Sequence, residues 1–114
     1  MKFLIVDDNQ IMRYTIGRIV TQDGDEVIEC EDGENALQMY TKHHPDWVLM
    51  DISMKNVNGI EATERITEKD PAAKVLIVTD YEDRFFRQAA MTAGALGFIS
   101  KENLKDIKNL IARE

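Results

Sequence analysis

Phe3-Leu4-Ile5-Val6-Asp7-Asp8 decides how the rest of the chain reads. Four apolar residues in a row show no alternation, so a strand built from them is buried on both faces. The run stops at two aspartates, and the pattern recurs. Trp47-Val48-Leu49-Met50 stops at Asp51, Val75-Leu76-Ile77-Val78 stops at Thr79, and Leu96-Gly97-Phe98-Ile99-Ser100 stops at Lys101. In parallel α/β sheets, ligands bind outside the carboxyl ends of the strands. The sequence therefore gathers three carboxylates, a hydroxyl and an ammonium at one edge of one sheet.

Helix-like stretches separate these runs. Residues 10–21 carry Met12, Ile16, Ile19 and Val20 on one helical face, with Asn9 as N-cap. Gln22-Asp23-Gly24-Asp25 reads as a turn, and residues 26–30 as a short strand. Asp32-Gly33 leads into a helix over 34–42 with Ala36, Leu37 and Tyr40 inward, stopped by His44-Pro45-Asp46. Further helices are predicted over 60–68, ended by Asp70-Pro71, and over 82–93, with Gly94 as the residue past its end. Asn103 caps a last helix that buries Leu104, Ile107, Leu110 and Ile111. Five βα units predict a parallel five-stranded sheet with helices on both faces. The expected fold class is α/β, a flavodoxin-like three-layer sandwich with strand order 2-1-3-4-5, rather than an eight-stranded barrel. That order makes the first and third strands neighbours, with Asp7, Asp8 and Asp51 at the mouth of the crevice between them.

A chain of 114 residues is expected to form one domain, residues 1–114, with its own core. Its net charge of −7 argues against direct nucleic-acid binding and suits a cation site or a basic partner. The single cysteine, Cys30, excludes an internal disulfide and reads as a small buried apolar residue at a strand end. No apolar run is long enough for a bilayer-spanning helix. The apolar start of the chain is too short for a signal peptide and meets two aspartates. The cytoplasm is the expected location.

Three carboxylates close together repel, and one of them holds a proton unless a cation intervenes. A hard divalent cation with oxygen ligands, Mg²⁺ or Mn²⁺, resolves this. Lys101 adds a mobile point charge and Thr79 a hydroxyl donor. A cation, an ammonium and a hydroxyl around a carboxylate are the parts that stabilise a transferring phosphoryl group. Asp51 stands alone at its strand end and is the natural nucleophile. Any single Asp at such a place is more simply a turn cap. Four strand ends with complementary chemistry are not explained that way.

With these residues in order, the chain resembles the receiver domain of two-component response regulators over essentially its whole length. The resemblance is carried by Asp7-Asp8, Asp51 within Leu49-Met50-Asp51-Ile52-Ser53-Met54, Gly59, Thr79, Lys101 and the stretch Ala93-Gly94-Ala95-Leu96-Gly97-Phe98. It implies that Asp51 accepts a phosphoryl group from a histidine kinase or a phosphotransfer protein. It implies that Asp7, or more often Asp8, holds Mg²⁺ with Asp51 and the backbone carbonyl of Ser53, and that Thr79 and Lys101 contact the phosphoryl oxygens. Phe98 matches the aromatic switch residue that turns inward when Thr79 moves. The chain departs from the family at Lys55, where Pro is usual, and at Asp80, where a small residue is usual; with Tyr81 these are expected to modulate the site. Glu102, where the family often has Pro, together with Gly97-Phe98, is similar to receivers of LuxR-type transcription factors.

The leading expectation is thus a phosphorylation-controlled switch, not an enzyme with an outside product, that assists its own phosphorylation and dephosphorylation. Its expected partners are the kinase, an output domain or effector, and a second copy on phosphorylation. A phosphorylation-independent interaction module with the same fold is the alternative, favoured by Lys55 and Asp80. A phosphohydrolase is disfavoured because Ser53 stands where an acid-base Asp is needed, and a flavin protein because carboxylates occupy the phosphate site. No output domain follows the last helix in this sequence, so a stand-alone regulator and a receiver cut from a longer factor both remain open. His43-His44 reads as a solvated helix end. One of Phe85 and Phe86 must face inward, Ile11 and Tyr14 are expected to be partly buried or in contact with a kinase, and Trp47 reads as a packing residue whose fluorescence is a candidate cation readout.

Overall fold

The strands are as buried as their sequences require: Phe3, Leu4, Ile5 and Val6 are fully enclosed, as are Val48 and Met50. The computed structural model describes residues 1–80 and 83–111. Within them β1 (Lys2–Val6), β2 (Glu26–Cys30), β3 (Trp47–Met50), β4 (Val75–Thr79) and β5 (Gly97–Ser100) form one sheet, all neighbours parallel, in the order β2-β1-β3-β4-β5. Strand residues point alternately to the two faces. Leu4, Val6, Val48, Met50, Ile77 and Phe98 pack toward α2 (Ala36–His43), α3 (Gly59–Lys69) and α4 (Arg84–Thr92). Phe3, Ile5, Leu49, Leu76, Val78 and Ile99 pack toward α1 (Gln10–Val20) and α5 (Ile107–Leu110). No helix among the described residues is long and apolar enough to cross a membrane.

Register aligns the strand ends. Val6 pairs with both Cys30 and Met50, Met50 with Ile77, and Thr79 with Ser100. Asp7, Asp51, Thr79 and Lys101 therefore leave the sheet along one edge. The helices that follow are started by side-chain caps, each satisfying a backbone N–H that has no partner in the first turn. Asn9 Oδ1 accepts from Met12 N at 2.9 Å, and Asn58 Oδ1 from Glu61 N at 2.9 Å.

Several boundaries differ from expectation. Helix α2 begins at Ala36, not at residue 34. The Asp32 carboxylate takes both the backbone N–H and the side-chain amide of Asn35, at 2.8 and 3.1 Å, and holds the preceding residues in a turn. In α4 the cap is Asp83, whose Oδ1 accepts from Phe85 N at 2.6 Å, so Asp80 does not cap it; the predicted start at Glu82 lies outside the described residues. The last helix differs most. Ser100, not Asn103, supplies the cap, accepting from Glu102 N at 3.2 Å. A 3₁₀ segment over Lys101–Asp106 follows, with Asn103 at φ −121°, ψ 40°, outside helical space. That break leaves α5 a single turn; Ile107 and, just past its end, Ile111 meet the sheet while Leu110 is turned out and 45% exposed. Ile11 and Tyr14 lie off the Met12-Ile16-Val20 stripe and are exposed rather than partly buried, whereas Phe86 packs inward and Phe85 does not.

Candidate functional site

Asp7 is the most restrained residue at the carboxyl edge. Its backbone N–H donates to Cys30 O at 3.0 Å, carrying the β1–β2 ladder one residue past the strand. Its Oδ1 accepts from Asn9 N at 2.8 Å, and its carbonyl accepts from Arg13 Nη1 at 2.7 Å. Its Oδ2 meets the Lys101 ammonium at 2.9 Å. Asp51 continues β3 in the same way, its N–H donating to Val6 O at 2.9 Å, and its Oδ1 lies 3.3 Å from Lys101 Nζ. Both carboxylates are buried, at 1% and 4% exposure, while Asp8 is exposed. One carboxylate oxygen from each of Asp7, Asp8 and Asp51 lies within 4.8 Å of the others.

Two glycines permit this crowding. A Cβ on Gly59 would lie 1.8 Å from Asp51 O, so only glycine lets the start of α3 fold back over the residue it follows. A Cβ on Gly33 would lie 2.2 Å from Val57 O, where the loops after β2 and β3 interlock. A cavity of about 360 Å³ is lined by Asp8 after β1, Glu31 and Asp32 after β2, and Lys55 and Asn56 after β3.

The electrostatics follow from burial. Asp51 is pushed up to about 6, first by desolvation and then by the charge of Asp7, against the pull of Lys101. Burial works against the Lys101 ammonium, but its bond to Asp7 and the charge of Asp51 outweigh this and raise its pKa above the ordinary value. One ammonium thus faces three carboxylates. Among the described residues none donates a hydrogen bond to the Asp8 carboxylate, which is free to take a ligand. The spacing and the all-oxygen chemistry fit a hard divalent cation.

Thr79 is fully buried at the end of β4, and Phe98 is buried in β5 with its ring inward, the Arg87 guanidinium 5.0 Å from its centre. Ser53 is exposed on the loop after Asp51. Lys55 is exposed and lines the same cavity as Asp8, and Asp80 is exposed just past Thr79. Tyr81 lies outside the described residues. Trp47 starts β3, four residues and some 13 Å of strand away from Asp51, and packs against the α1 and α5 face. It is a packing residue, and its distance makes it a poor reporter of a cation at the acidic cluster. His43 ends α2 with its carbonyl accepting from Lys2 Nζ, and His44 takes the left-handed cap conformation at φ 48°; among the described residues neither joins a metal-ligating cluster. Cys30 is buried, its thiol donating to Asp32 O at 3.1 Å and raised in pKa by burial. Sequence reasoning missed Arg13 and its partner Glu29, the second role of Asn9, and the walls Glu31, Asp32 and Asn56.

The family model of the response regulator receiver domain matches residues 3–112. The transcriptional regulatory protein DegU of Brevibacillus brevis is 38% identical over 104 residues, covering 90% of this chain and 44% of DegU. The chemotaxis protein CheY of Halobacterium salinarum is 38% identical over 98 residues, covering 86% of this chain and 82% of CheY. The chain thus spans less than half of DegU but most of CheY. Among solved structures, a LuxR-family two-component response regulator from Aurantimonas sp. SI85-9A1 superposes with a TM-score of 0.88 at 33% identity, covering 95% of this chain and 79% of that one. CheY from a CheX–CheY–BeF₃–Mg²⁺ complex of Borrelia burgdorferi superposes with a TM-score of 0.86 at 26% identity, covering 99% and 90%.

Proposed function

The chain belongs to the response regulator receiver family, and from that premise we propose that Asp51 accepts a phosphoryl group from a histidine kinase or phosphotransfer protein in a Mg²⁺-dependent reaction. Receiver domains bind Mg²⁺ at an acidic pocket, and here Asp7, Asp8, Asp51 and the Ser53 carbonyl would hold it. The carrying observation is the buried Asp51 carboxylate, 3.3 Å from Lys101 and clustered with Asp7 and Asp8. When bound, the cation supplies charge neutralisation for the transferring phosphoryl oxygens. Everything else is done by the chain. Asp51 enters the reaction deprotonated, one carboxylate oxygen forms the new O–P bond, and the donor leaves with the electron pair of the broken P–N or P–O bond and is protonated. Lys101 and the Thr79 hydroxyl then hold the phosphoryl oxygens. Movement of Thr79 toward that group frees space beside Phe98, and the change travels through β4 and β5 to α4.

Residues 1–114 act as one receiver domain on this reading. Its output is an attached domain, an effector protein or a second copy, its location is the cytoplasm, and it catalyses only its own phosphorylation and dephosphorylation. Incubation with acetyl phosphate and Mg²⁺, trapping of the acyl phosphate and mapping by mass spectrometry test this. The label is expected on Asp51 alone and requires Mg²⁺. Undiminished labelling of Asp51→Asn overturns the assignment; no labelling of the wild type favours the phosphorylation-independent module.

A further inference from the structure

Arg13 has no part in the mechanism above, yet it is tied into the acidic corner. Its side chain is only 12% exposed, although Gln10, Tyr14 and Arg18 of the same helix are exposed. Nε donates to Glu29 Oε1 at 2.8 Å on β2, and Nη1 donates to Asp7 O at 2.7 Å. A peptide unit is planar, so holding the Asp7 carbonyl also sets the direction of the Asp8 N–H and Cα. The other atoms of Asp7 are held by Cys30 O, Asn9 N and Lys101. Those bonds fix Asp7, and among the described residues the carbonyl bond alone acts on the peptide that leads into Asp8, the exposed carboxylate of the cluster.

The geometry points to Arg13 as a positioning residue for the cation site, one that aims Asp8 at Asp7 and Asp51 by clamping the Asp7–Asp8 peptide while Glu29 clamps Arg13. The inference rests on the divalent-cation reading of that cluster. The guanidinium suits the task because it is a rigid fork with several donors, able to serve a carbonyl and a carboxylate at once; an ammonium on a flexible stem is a point charge without that planar fork. Charge and position make opposite demands here. Removing a nearby cation leaves the site more negative and by charge alone would tighten Mg²⁺ binding. Removing a clamp that preorganises a ligand weakens it, by about tenfold where such supporting groups are lost.

The test is Mg²⁺ affinity by calorimetry at a temperature where each variant is fully folded, with thermal melts to verify folding. Arg13→Gln is expected to bind Mg²⁺ about tenfold more weakly than wild type, and Arg13→Lys, which keeps the charge, to recover only part of the loss. Glu29→Gln keeps the guanidinium and its bond to Asp7 O but loosens its anchor, and is expected to weaken binding by about two- to threefold. Arg13→Lys, which changes no charge, decides the matter if Arg13→Gln does not fold, because wild-type affinity in that variant overturns the inference. A role in stability alone would lower the melting temperature and leave the affinity of folded protein unchanged. Unchanged or tighter Mg²⁺ binding in folded Arg13→Gln, or full recovery in Arg13→Lys, overturns the inference. Asp8→Asn separates the two readings. If it loses affinity while Arg13→Gln does not, the positioning role fails alone. If wild type and Asp8→Asn bind alike, the cation reading fails and takes this one with it.

Discussion

The two edges of the sheet treat charge differently. At the amino edge charges are paired locally: the Met1 ammonium meets Asp25 Oδ1 at 2.8 Å, Asp25 Oδ2 accepts from Gln22 N at 2.8 Å, and Lys2 Nζ donates to His43 O at 2.9 Å. At the carboxyl edge a single ammonium serves two buried carboxylates, with a third beside them. Local pairing stabilises a fold, whereas a buried surplus of one sign costs stability and marks where a ligand of the other sign belongs. The glycines repeat the contrast. Gly24, in the turn before β2, has φ +90° and open space around it, while Gly59 is required because its neighbour is 1.8 Å from where a Cβ would stand.

The glycine contrast gives the largest expected effect. Gly59→Ala must push the loop after β3 off Asp51 and is expected to cost about 3 kcal/mol. Gly24→Ala meets only the left-handed backbone penalty, about 1 kcal/mol. Urea denaturation of both variants measures the difference, and equal costs would erase the distinction between a crowded edge and an open one.

Lys101→Ala leaves the three carboxylates without their ammonium. Stability at pH 7.5 is expected to fall by about 2 kcal/mol, and the deficit to shrink toward pH 5 as Asp51 takes up a proton. Labelled Lys101→Ala should also show little change in the amide spectrum of β4, α4 and β5. A full wild-type shift in that variant would remove Lys101 from the relay.

The pH dependence of the wild type should isolate Asp51. Its carboxyl pKa rises from 3.8 to about 6 on folding, so the fold binds this proton more tightly than the unfolded chain does. The associated stability is complete below about pH 4 and is lost as pH rises through 6, by up to roughly 3 kcal/mol in the absence of divalent cation. Chemical denaturation across that window should show the decline in wild type and a flatter profile in Asp51→Asn. Parallel profiles would mean that Asp51 does not carry the effect.

The smallest expected effect concerns Asp80, exposed one residue past Thr79 and not a helix cap. Asp80→Ala should speed labelling by acetyl phosphate about twofold at low salt, because an exposed carboxylate repels an anionic donor only weakly through water. The gain should vanish at high salt; equal rates at low salt would leave Asp80 without influence on the chemistry.

Strand positions, strand order and the main residues of the cluster were legible because four of the five strands belong to apolar runs closed by a polar residue, β2 with its two glutamates being the exception. Helix ends were less legible where a side chain could bond in more than one way. Asp32 bonded to Asn35 and delayed α2, and Ser100 took the cap assigned to Asn103. The phase change at Asn103 then exposed Leu110, which periodicity had placed inward. Arg13 was invisible for a different reason. Its two partners are a backbone carbonyl and a residue on another strand, and neither leaves a trace in local sequence. The cavity walls share this property, since Glu31 and Asp32 follow β2 while Lys55 follows β3, and the fold brings these distant segments together.

The surplus of negative charge at the carboxyl edge is tested most directly by thermal melts of wild type and Asp51→Asn at pH 7.5, with chelator and with saturating Mg²⁺. Removal of one repelling carboxylate should raise the melting temperature of Asp51→Asn above wild type in chelator. Mg²⁺ should then raise wild type by more than it raises the variant, because the cation binds the folded state through that carboxylate. An Asp51→Asn protein that melts below wild type in chelator, or that gains as much from Mg²⁺, would contradict the account.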